Sequence, residues 1–181
     1  YKHFTAIADA VSLPGILYNV PSRTALNMDA ATTLKLAEIP NIVGVKEASS
    51  DADQIAYVIK GAPEDFNVWS GNDNEIFPTM ATGGYGIVSV AGNIISGQIK
   101  KMMGLILEGD IEAAATEHLR LLPIFNGLFI ITNPIPVRYA LNRSGFNVGP
   151  ARLPMIPDAD EHKVFSDRFD PIMDQYSIDL K

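Results

Sequence analysis

Four short apolar runs, each leading into a loop and then a helical pattern, leave this chain few folds to adopt. They are Gly15–Tyr18, Ile42–Val45, Phe66–Trp69 and Gly86–Val90. Runs so short and so uniformly apolar read as strands buried on both faces, and strands that alternate with helices pair in parallel. Successive strand ends, at Asn19, Lys46, Ser70 and Val90, lie 27, 24 and 20 residues apart, which leaves room for one helix in each interval. The intervals carry helix signals. Residues 29–37 follow Asn27 as a cap. Residues 51–60 follow Ser49 or Ser50 and close at Gly61, and residues 74–81 contain Pro78 and stop at Gly83-Gly84. After the fourth run, Gly92 and Asn93 lead into a long helix over 95–108.

A parallel sheet with helices is either doubly wound or a barrel. No glycine-rich dinucleotide fingerprint follows any strand, which weakens the first option. Polar residues gather at the C-terminal strand ends (Tyr18, Lys46, Ser70 to Asp73, Ser89), where a barrel builds its active site. The expected fold is therefore α/β, with four βα units forming half of a (β/α)₈ barrel. An amphipathic helix over 2–11, with Phe4, Ile7, Ala8 and Val11 on one face, opens the chain, and further chain is expected upstream. From Asp110 onward the pattern is helical, over 111–122, 134–141 and 162–176, with Pro150, Pro154 and Pro157 marking an irregular link. The expected division is residues 1–109 as barrel half and 110–181 as a helical C-terminal domain.

Composition excludes several functions. A net charge of −7 speaks against nucleic acid as the main partner, which needs a basic surface. A small anionic substrate needs only one or two local cations. There is no cysteine, hence no disulfide, thiolate metal site or thiol nucleophile; a reducing cytoplasm is the natural compartment. No apolar run approaches the ~18 residues of a membrane span. His3, His118 and His162 match no metal-ligand spacing and read as solvated surface histidines.

Three side chains could carry chemistry. Lys46 ends an apolar strand in Gly44-Val45-Lys46-Glu47-Ala48-Ser49. Burial in a barrel interior would favour a neutral, nucleophilic amine; the alternative is a lysine that snorkels to the barrel mouth. Glu47 faces the other way and reads as structural. Tyr18 could relay a proton, or simply pack with its hydroxyl satisfied. Arg23 could grip a carboxylate with its guanidinium fork, or be a solvated loop residue.

Taken together, Tyr18-Asn19-Val20-Pro21-Ser22-Arg23-Thr24, Gly44 to Ser49, Ser70-Gly71-Asn72-Asp73, Gly83 to Val90, Asn133-Pro134-Ile135-Pro136-Val137-Arg138 and Arg152-Leu153-Pro154 closely resemble the dihydrodipicolinate synthase family. That family sits within the N-acetylneuraminate lyase superfamily. The resemblance spans nearly the whole chain in order and spacing. It implies a cytoplasmic lyase of lysine (diaminopimelate) biosynthesis, homodimeric or homotetrameric, working without metal or organic cofactor. Lys46 would form a Schiff base with pyruvate, Tyr18 would relay protons, and Arg23 would bind the carboxylate of aspartate semialdehyde. The backbone of Gly71 and Val88 would line the pyruvate pocket; Val88 stands where many relatives carry isoleucine. The Ser22-Arg23-Thr24 sequence favours this branch over sister aldolases that cleave N-acetylneuraminate or 2-keto-3-deoxy sugar acids. Retention of both Tyr18 and Lys46 counts against a non-catalytic ligand-binding relative. The family's threonine pair and second tyrosine come from the first four strands, so these 181 residues alone are expected to be inactive.

Overall fold

Alternation along the strands decides how this chain packs. In the computed structural model, which describes residues 1–155 and 159–176 (backbone alone for 159–161), four strands pair in parallel in the order β1-β2-β3-β4. They are β1 (Gly15–Asn19), β2 (Ile42–Glu47), β3 (Asn67–Ser70) and β4 (Gly86–Ile87). Leu17, Ile42, Val45 and Val68 point to one face and pack with Leu36, Ala37, Val58 and Phe66. Burying each of the larger of these side chains stabilises the fold by about 1.5–3 kcal/mol. The covering helices are α1 (Lys2–Ala10), α3 (Ala30–Ala37) and α4 (Ala52–Gly61), with the one-turn α2 (Pro21–Thr24) between β1 and α3. After β3 come a 3₁₀ turn (Asp73–Glu75) and α5 (Ile76–Ala81), beyond which the chain turns at Gly83 with φ of 103°. This is the parallel-sheet-plus-helix arrangement of a partial (β/α)₈ barrel, followed by a helical part.

Several details differ from the sequence expectation. Burial on both faces, expected for strands of a closed barrel, does not hold for this half alone: Ile16 and Tyr18 of β1 are exposed on the helix-free face that a barrel turns inward. Strands β1 and β2 run past their apolar residues to Asn19 and Glu47, which pair with each other, while β4 is only two residues long. The cap of α3 is Asp29, accepting from Thr32 N, and that of α4 is Asp51, accepting from Gln54 N; Asn27, Ser49 and Ser50 serve elsewhere. Pro21 pre-sets φ for a first helical position, so Arg23 lies on a helical turn rather than in open loop.

A second compact unit begins at Val90, the first ending at Ser89; the long helix after β4 thus belongs to the second. It comprises α6 (Gly92–Leu107), broken at Ile95, α7 (Ile111–Gly127), α8 (Ile135–Arg143) and α9 (Ala159–Asp174). Helix α7 continues through Pro123, past its expected end at Leu122. An interior proline costs about 3 kcal/mol, but Leu121, Ile124, Phe125 and Leu128 are essentially fully buried, and four such side chains at ~1.5–3 kcal/mol each outweigh it. His118, expected at the surface, is 8% exposed and beside Phe125; that burial lowers its pKa. His3 and His162 are exposed as expected. Phe165 and Phe169 of α9 stack, and Tyr139 of α8 meets Phe165 edge-on. The Tyr139 hydroxyl donates to Asp170 at 2.7 Å, and burial together with that carboxylate pushes its pKa up to about 12. Pro150 and Pro154 lie in an irregular link; Pro157 falls outside the described residues. Among those residues no helix is long and apolar enough to cross a membrane.

Candidate active site at the strand ends

Register, not spacing, brings the candidate residues together. An irregularity between Gly15 and Ile16 shifts β1 against β2, after which Tyr18 pairs with Lys46 and Asn19 with Glu47. Lys46 in turn pairs with Trp69, and Glu47 with Ser70. Neighbours in register point to the same side. Tyr18, Lys46 and Trp69 therefore share the face without helices, and Asn19, Glu47 and Ser70 share the covered one.

On the uncovered face the Lys46 Nζ lies 4.1 Å from the centroid of the Tyr18 ring, a cation–π distance for an ammonium. Lys46 is half-buried and Tyr18 is 45% exposed. Trp69 leans over Gly44, where a Cβ would lie only 2.4 Å from its ring, and meets Tyr85 edge-on at 5.3 Å between centroids. Aromatic rings thus wall the face beside the amine.

Gly71 follows Ser70 and donates its N–H to Glu47 O at 2.6 Å. A Cβ there would lie 2.7 Å from Ala48 Cβ and 3.2 Å from Lys46 Cε. Close approach to the lysine therefore requires glycine. Val88 is exposed and donates its N–H to Ser70 O at 3.0 Å, which sets its backbone next to the end of β3. Asp73, buried in the 3₁₀ turn, accepts a hydrogen bond from Ser89.

Arg23 stands apart from this group. It sits on α2, which Ala25 terminates in the left-handed region at φ of 56°. Its side chain is exposed, and no ion pair joins it to any described residue.

The covered face holds residues that the sequence did not single out. Asn19 Nδ2 donates to both Glu47 oxygens at 3.0 and 3.1 Å and to Asn27 Oδ1 at 2.8 Å. Gln54 Nε2 donates to Glu47 at 3.2 Å, and Asn27 Nδ2 to Gln54 Oε1 at 2.8 Å. The available signal was an asparagine ending an apolar run, since a buried amide must find partners. A separate cavity of about 640 Å³ in the second unit, lined by Arg138, Tyr139, Arg143 and His162 among others, contains none of the five candidates. With no strand-end residue in its lining, it is the lesser candidate for the chemistry.

The sequence profile of the dihydrodipicolinate synthetase family matches residues 1–168. Curated proteins named 4-hydroxy-tetrahydrodipicolinate synthase are similar: that of Symbiobacterium thermophilum is 52% identical over 164 residues, covering 90% of this chain and 56% of its own length. That of Moorella thermoacetica is 51% identical over 163 residues, with the same coverage. The chain spans about half the length of the curated relatives it matches. Among solved structures, dihydrodipicolinate synthase from Thermotoga maritima superposes with a TM-score of 0.93 at 34% identity, covering 98% of this chain and 61% of that one. The enzyme from Cyanidioschyzon merolae with lysine bound gives 0.92 at 39% identity, covering 98% and 59%. With profile, relatives and fold in agreement, the chain belongs to the dihydrodipicolinate synthetase family.

Proposed function

We propose that the full-length protein is a 4-hydroxy-tetrahydrodipicolinate synthase that condenses pyruvate with aspartate semialdehyde through a Schiff base on Lys46. The observation that carries this reading is the paired placement of Lys46 and Tyr18, with the amine 4.1 Å from the ring centroid at the strand ends. The names of the relatives support the choice of reaction.

In this reading the Lys46 amine attacks the keto carbon of pyruvate. The carbinolamine loses water to give an iminium, and loss of a methyl proton gives an enamine. Its carbon adds to the aldehyde, and the amine of the second substrate then displaces Lys46 as the ring closes. One water leaves per turnover. Tyr18, beside the amine, carries protons to and from the carbinolamine. Arg23, exposed and free of ion pairs to described residues, binds the carboxylate of the aldehyde substrate. Gly71 and Val88 offer backbone to pyruvate. The protein works in the cytoplasm as a homodimer or homotetramer.

The test is Arg23→Ala in the full-length protein. Loss of a charge-assisted contact of about 1.5–3 kcal/mol lowers kcat/KM for aspartate semialdehyde, with pyruvate binding little changed. An unchanged value, or a larger effect on pyruvate, moves the reading to a sister aldolase acting on a sugar acid.

A further inference from the structure

Directly beneath the Tyr18–Lys46 pair, on the covered face, lies a carboxylate with no part in the chemistry proposed above. Glu47 is fully buried, and its described hydrogen-bond partners are all neutral donors. They are Asn19 Nδ2 to both oxygens, Gln54 Nε2, and the backbone N–H of Ser49 at 2.8 Å. A buried carboxylate is costly unless its lone pairs are met, and this one sits where two strands and two loops converge.

We infer that Glu47, with Asn19, Asn27 and Gln54, is a positioning residue that fixes Tyr18, Lys46 and the Arg23 segment relative to one another. This rests on the Schiff-base reading above. Asn19 directly follows Tyr18 and Glu47 directly follows Lys46, and both pairs are register partners. Adjacent strand residues point to opposite faces, so clamping Asn19 to Glu47 below sets the spacing of Tyr18 and Lys46 above. The same cluster anchors the far limb of the Arg23 segment. Asn19 Oδ1 accepts from Met28 N at 3.0 Å, and Gln54 Nε2 donates to Asn27 Oδ1 at 3.2 Å and Met28 O at 3.3 Å. Through Ser49 N, Glu47 also holds the turn that enters Ser50, at φ of 61°, and the Asp51 cap of α4.

The test is made in the full-length protein. Glu47→Gln replaces one acceptor oxygen with an NH₂ group facing the amide donors of Asn19 and Gln54. The expected result is a fall in kcat per folded molecule of about 10- to 100-fold, the cost of a small misplacement of reacting groups. Borohydride labelling of Lys46 still requires pyruvate but is slower. Adding Asn19→Asp restores a donor–acceptor pair across the strands and recovers part of kcat, a coupling that general destabilisation does not produce. If Glu47→Gln does not fold, Asn27→Ala decides, because Asn27 is exposed. Its kcat/KM for the aldehyde then falls about 3- to 10-fold, the worth of one hydrogen bond, with pyruvate labelling unchanged. Wild-type kcat per folded molecule in Glu47→Gln, whatever its melting temperature, overturns the assignment, as does an indifferent Asn27→Ala. A wild-type protein that pyruvate and borohydride leave unlabelled at Lys46 is a different result: it removes the Schiff-base reading itself, and Glu47's role with it.

Discussion

On the helix-covered face of the sheet, Asn19, Glu47 and Ser70 are at most 2% exposed. On the opposite face Tyr18, Lys46 and Trp69, each one residue earlier in the same strands, stay half-buried or exposed. The two sets differ in what satisfies their polar atoms. Below, amides and a carboxylate saturate one another, as burial demands. Above, the amine meets an aromatic face at 4.1 Å, with no hydrogen bond or ion pair to another described residue. One step along a strand thus separates a polar group saturated by its neighbours from one that meets only a ring among the described residues.

The largest effect that separates the faces is chemical. In the full-length protein, Lys46→Ala lowers kcat by at least about 10³-fold, as loss of a covalent nucleophile does, and abolishes pyruvate-dependent borohydride labelling. Retained labelling at another lysine would show that the reactive amine lies elsewhere. Next comes stability. Leu36→Ala, under the covered face with no exposure, costs about 2–5 kcal/mol by denaturant midpoint. Ile16→Ala, 53% exposed on the other face, changes the 181-residue chain by less than about 0.5 kcal/mol. Equal costs would mean that Ile16 is covered in solution.

A smaller effect tests the helix that covers the buried face. Asp29 accepts from Thr32 N at 2.7 Å, and that bond lowers its pKa. Asp29→Ala therefore costs about 1 kcal/mol of stability at neutral pH. A carboxylate with a depressed folded pKa contributes above its unfolded value and loses that contribution as pH falls through the folded one. The difference between wild type and variant should thus shrink below about pH 4; a difference that persists there would place the cap's value elsewhere. The smallest effect is optical. Trp69, the one tryptophan among these 181 residues, is the register partner of Lys46, so pyruvate changes the fluorescence of the full-length wild type, and either Trp69→Phe or Lys46→Ala removes that change. A change that survives both substitutions would place pyruvate away from this face.

Element order was legible because apolar runs and helix signals alternate cleanly from Gly15 to Leu107. The caps were not, because Asn27, Ser49 and Ser50 are as competent as Asp29 and Asp51 by residue type, and only backbone geometry chooses between them. That one face lacks helices followed from reading the four units as half of a barrel, whose inner face is closed by strands rather than helices. The Tyr18–Lys46 pairing lay beyond spacing arguments, because it depends on the register shift at Gly15. His118 was misread because polarity suggests solvent, whereas its neighbour Phe125 places it in a core.

Gly71 constrains how such a site can diversify. With Ala48 Cβ 2.7 Å and Lys46 Cε 3.2 Å from where its own Cβ would be, even one added methyl would crowd the amine. The aperture around Lys46 is therefore set there by backbone and cannot be widened or narrowed by exchanging side chains at that position. Residues 22–24 and 26 are exposed and meet no such steric limit. Side-chain exchange on that segment leaves the backbone beside the amine as it is.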